Sequence, residues 1–105
     1  MSADSLSTET QPRNRPEETP GRVFCFSLTA AVEPGVMPRV LELFAKRNLI
    51  AQRCHSDVVA TKHGPALSID LQVAELTPEL CDYIARCMRQ IWGVDTVLTS
   101  EKRSA

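Results

Sequence analysis

The sequence predicts an α+β fold of the ferredoxin-like kind, βαββαβ, with a four-stranded antiparallel sheet and two helices on one face. Three observations carry that expectation. Two segments alternate apolar and polar residues as strands with one covered face do: Phe24, Phe26 and Leu28, then Leu67, Ile69, Leu71 and Val73 around Ser68, Asp70 and Gln72. Two others repeat apolar residues at helical spacing: Val36, Val40, Leu43, Phe44 and Arg47, then Leu80, Ile84, Cys87 and Ile91. Each helical segment is flanked by strand segments, and a turn signal separates the two middle strands.

The elements follow in order. Residues 1–21 are rich in Ser, Thr, Glu and Pro, with Pro12, Pro16 and Pro20 and almost no apolar side chains. Such a segment cannot bury enough surface to offset its ordering entropy, which predicts a disordered tail and a folded domain at residues 22–105. The first strand starts near Arg22. The first helix must begin close to Gly35, because Pro38 is tolerated only in a first turn, where its missing N–H costs no ladder bond. Glu42 and Lys46 form an i,i+4 pair on its outer side. The helix should close at Asn48, a residue that tolerates the left-handed conformation of many helix ends.

From Leu49 to Thr61 the residues are β-branched and polar by turns, predicting a second strand, and Lys62-His63-Gly64-Pro65 predicts a hairpin connection to the third. Thr77-Pro78-Glu79 is a strong helix start: a cap hydroxyl, a proline at the first position and an acid in the first turn. Gly93 stops this helix after Trp92, and Val94 to Thr99 supply the last strand. Two helices on one face leave the other face and at least one edge open. Val23, Cys25 or the strand from Leu49 could cover them by pairing with a second copy or another protein.

Composition narrows the function. A chain of 105 residues has room for one domain with a modest core, which argues against a cleft between domains. With 12 basic residues against 13 acidic, no footprint for nucleic acid is visible, and Phe24 and Phe26 share a face with Leu28 rather than forming an exposed platform for bases. No apolar run approaches the roughly 20 residues of a membrane span and no secretory signal pattern is present, so the cytoplasm is the expected compartment. Cys25, Cys54, Cys81 and Cys87 form neither a C-x-x-C pair nor a zinc-ribbon repeat and are expected as small reduced core residues. A zinc set of Cys54, His55 and His63 is disfavoured because neighbours on a strand point to opposite faces. Neither histidine has a nucleophile and an orienting carboxylate beside it, and Asp57, Asp70, Glu75 and Asp82 read as solvated surface. Four glycines are too few for a phosphate loop. No catalytic residue, cofactor or metal is therefore expected.

What remains is a binding or regulatory role, centred on the turn Val32-Glu33-Pro34-Gly35-Val36-Met37. A helix that begins at a glycine presents unpaired N–H groups and the positive end of its dipole to a small anion. The segment Glu33 to Leu49 resembles the first loop and helix of an ACT domain, and the element order extends the resemblance over about residues 22 to 101. Among single-domain chains it is most similar to the small regulatory subunits of acetolactate synthase. The resemblance implies a homodimer with a continuous sheet, association with a catalytic subunit of an amino-acid biosynthetic enzyme, and a small amino-acid effector, here a branched-chain one. The effector would lie between the loop Val32 to Met37 and a neighbouring copy, its carboxylate on the N–H groups of Gly35 and Val36, with Leu49, Ile50 and Gln52 approaching from the following strand. The chain departs from the family pattern at three places. Val32 stands where an Asp or Asn would hold the ammonium, Asn48 replaces the glycine after the helix, and Ile50 replaces an Asn. Glu33, next to Val32, could substitute as the ammonium partner. The alternative is an assembly module of the same fold that binds no effector.

Overall fold

In the computed structural model, which describes residues 22–103, Phe24, Phe26, Leu28 and Ala30 form one buried row on the central strand β1 (Arg22–Ala30). The chain continues through α1 (Val36–Ala45), β2 (Arg53–Thr61), β3 (Gly64–Ala74), α2 (Pro78–Arg89) and β4 (Val94–Arg103). The sheet order is β2-β3-β1-β4, every neighbour antiparallel, which is the expected ferredoxin-like arrangement. The expected tail, residues 1–21, lies outside the described residues. None of the described helices is long and apolar enough to cross a membrane.

Register explains where the core sits. Phe26 lies opposite Leu71 of β3 and Thr99 of β4, and Leu28 lies opposite Ile69 and Val97. These side chains meet Val36, Val40, Leu43 and Phe44 from α1 and Cys81, Ile84, Ala85 and Met88 from α2 in one cluster, so both helices cover the same face. At its centre the rings of Phe26 and Phe44 pack edge to face with centroids 5.4 Å apart.

The boundaries have local causes. At the start of α2, the Thr77 hydroxyl accepts the Leu80 N–H at 3.1 Å, with Pro78 and Glu79 in the first turn. Thr77→Ala should therefore lower stability by about 1 kcal/mol, measured as a shift in the urea midpoint. At the end of α1, the N–H of Leu49 bonds the carbonyl of Phe44 at 2.9 Å and that of Asn48 bonds Ala45 at 3.0 Å. With Asn48 at φ 59° this is a Schellman closure, so the last helical residue is Ala45 and Asn48 is the left-handed residue beyond it.

Three expectations shift. The buried row of α2 is Cys81, Ile84, Ala85 and Met88, at helical spacing, while Leu80, Cys87 and Ile91 flank it half-buried. The second strand pairs from Arg53, since the closure of α1 uses Leu49 and leaves Ile50 and Ala51 as a connection. Cys54 is exposed rather than a core residue; only Cys81 is fully buried, and burial, with Asp82 adding to it, pushes that thiol above its ordinary value.

Candidate functional site

The helices do not reach over β2. All nine of its residues are exposed, on the helix side as well as the open side, and among the described residues no strand pairs with its outer edge. Its partner β3 holds it by a regular ladder closed by the two-residue turn Lys62-His63, where Thr61 Oγ1 bonds the Gly64 carbonyl at 2.6 Å. The uncovered strip on the helix side opens an apolar cavity of about 410 Å³ walled by Val32, Glu33, Pro34 and Met37 from the loop and α1, Ser56 from β2 and Leu67 from β3. That volume is at the lower end of small-molecule sites, which run from about 300 to 1,000 Å³.

Four of the predicted site residues, Val32, Glu33, Pro34 and Met37, therefore share one wall. Gly35 and Val36 form the turn behind them and do not line the cavity. Gly35 caps α1 with φ −79° and ψ −11°, an ordinary helical conformation that any residue adopts. A Cβ there would meet the end of the flexible, exposed Arg39 side chain, whose guanidinium folds back to donate to the Gly35 carbonyl at 3.0 Å and could swing aside. Val36 is buried, and its N–H donates to the Glu33 carbonyl at 3.2 Å. The pair of amides expected to receive a carboxylate is thus reduced to one, because the turn closes on itself.

Leu49, Ile50 and Gln52 lie elsewhere. With Asn48, Ala74 and Glu75 they line a separate depression of about 240 Å³ at the far end of α1. A ten-residue helix is about 15 Å long, so one copy cannot bring both groups to one small ligand. Ser56 and Leu67 were not foreseen as site residues. They reach the cavity only through the β2–β3 register, which sets Ser56 opposite Ile69 and Val58 opposite Leu67.

No metal-holding group of three or more His, Cys, Asp or Glu occurs among the described residues. Cys54 and His55 face opposite sides of β2, and His55 instead meets the Asp57 carboxylate at 2.8 Å on the open face.

A family model of the ACT-like domain matches residues 21–104. No curated protein matches the chain in sequence. Among solved structures, the ACT domain from GTP pyrophosphokinase of Chlorobium tepidum is similar with a TM-score of 0.60 at 13% identity, covering 74% of this chain and 96% of that one. The C-terminal domain of the MgtC protein from Mycobacterium tuberculosis gives a TM-score of 0.61 at 12% identity, covering 84% and 94%. Identities this low speak to the fold alone.

Proposed function

Because the chain belongs to the ACT-like domain family, we propose that it is a non-catalytic regulatory domain that binds a small amino-acid effector and acts on a partner enzyme of amino-acid biosynthesis. The observation that carries this reading is the apolar cavity beneath the β1–α1 loop, beside an edge strand left open on both faces. One similar structure is itself the ACT domain of an enzyme, which supports a role exerted on catalysis elsewhere. The resemblance of the loop and first helix makes the catalytic subunit of acetolactate synthase the first partner to test, with valine, leucine or isoleucine as effector.

A second copy accounts for the split site. If two β2 edges pair antiparallel, the start of the strand in one copy lies beside its end in the other. Leu49, Ile50 and Gln52 of one chain then approach Val32 to Met37 of its neighbour, which no single chain achieves. The reading is of a homodimer with two composite sites.

Thermal unfolding with and without millimolar valine, leucine and isoleucine, beside light scattering at micromolar concentration, tests both parts. A dimer whose melting temperature rises with one of them is expected, since a ligand binding only the folded state adds about 2.7 kcal/mol at about a hundred times its Kd. A monomer without any shift would sink the proposal. A dimer without a shift would favour the assembly module, which the engaged Val36 amide already suits.

A further inference from the structure

The cavity offers acceptors and few donors. Glu33 and Ser56 are the polar side chains on its wall, and no hydrogen bond or ion pair among the described residues engages either one. An ionised carboxylate is acceptor-only, and a hydroxyl can accept as well as donate. The backbone adds little for an anion. Along positions 33–38, Pro34 and Pro38 have no N–H, that of Glu33 is spent on the Ala31 carbonyl at 2.9 Å and that of Val36 on the Glu33 carbonyl, which leaves the N–H of Gly35, a residue outside the lining, and that of Met37. The nearest cation of the loop and helix start is Arg39, two positions after the lining residue Met37. That spacing turns it about 200° around α1 from the cavity side, and its guanidinium is folded onto Gly35. The remaining wall, Val32, Pro34, Met37 and Leu67, is apolar.

We infer that the cavity recognises a primary aliphatic amine, with Glu33 and Ser56 accepting from its ammonium and the apolar wall taking the chain, and that it makes no demand for a carboxylate. A carboxylate entering this space would lose water without gaining a cationic partner, whereas an ammonium finds a carboxylate on the cavity wall. The second depression has the same bias: Glu75 is its charged residue, and no Lys, Arg or His lines it. A site composed from both would remain selective for positive charge. The inference rests on the cavity being the effector site, and it narrows what that site takes.

The test uses the full chain and three compounds that share one branched chain: leucine, 3-methylbutan-1-amine, which lacks the carboxylate, and 4-methylpentanoic acid, which lacks the ammonium. Titration calorimetry should show the amine binding within about tenfold of leucine, and the acid at least about a hundredfold more weakly. Glu33→Gln should weaken the amine by more than about tenfold, and because Glu33 is exposed the unliganded melting temperature should stay the same. Binding of leucine without the amine would overturn the inference and leave the sensor reading standing, as would binding of the acid as tightly as leucine. Undiminished amine binding by Glu33→Gln would overturn the role of Glu33. Binding of none of the three would overturn both readings.

Discussion

Replacing Phe26 by alanine is expected to remove about 3–5 kcal/mol of stability, the usual range for emptying a buried phenylalanine site. The ring is wholly buried on the central strand, between Leu71 and Thr99, and its edge-to-face contact with Phe44 ties the sheet to α1. Neither neighbour can close the gap cheaply, since Phe44 is fixed by its own helix and Leu71 by the ladder. Domains of this size hold only about 5–15 kcal/mol in total, so the variant should sit near the edge of folding. Urea unfolding followed by circular dichroism would measure the loss. A change below about 1 kcal/mol would mean that the core is looser than the packing shows.

The second large effect is expected at Gly93, between α2 and β4. Its φ of 94° lies in the region that L side chains rarely adopt, and a Cβ there would stand 3.2 Å from Val36 Cγ2 and 3.6 Å from Ala31 Cβ. Its carbonyl also accepts the Ala31 N–H at 2.7 Å, which staples this turn to the loop that walls the cavity. Gly93→Ala should cost about 1–3 kcal/mol in backbone strain, with crowding of Val36 added. Gly64→Ala is the control: φ is 105° there, but nothing lies within 4 Å of the added methyl. The two losses, compared by thermal unfolding, separate strain from crowding. Equal losses would show that the contact with Val36 carries no weight, and a larger one at Gly93 should come with altered signals from the Val32–Met37 loop in NMR spectra.

The parts of this fold that could be read in advance are those where one residue pattern answers to one physical cause. Phe24, Phe26 and Leu28 alternate because one face of β1 is dry, and Thr77-Pro78 starts α2 because its hydroxyl and ring suit that position alone. β2 was blurred at its start for the opposite reason. Both of its faces are wet, so no alternation marks where pairing begins, and Leu49 looked as strand-like as Arg53. The candidate site was half legible. The loop residues announce themselves through Pro34 and Gly35, but Ser56 and Leu67 join them only by register, which no local pattern encodes. The separation of Leu49, Ile50 and Gln52 from the loop follows from the length of α1 between them, and the loss of the Val36 amide follows from a backbone turn that composition does not reveal.

The His55–Asp57 pair on the open face of β2 has a consequence for how two such strands could meet. In an antiparallel twofold pairing centred on Ser56, His55 of each strand stands opposite Asp57 of the other, and the pair within one chain becomes a ring of four alternating groups. Slipping the centre by one residue, to Asp57, sets two carboxylates face to face, and directly opposed like charges are unfavourable. A strand that is chemically plain along its main chain thus carries its own alignment mark: two side chains, two positions apart, that distinguish one register from the next.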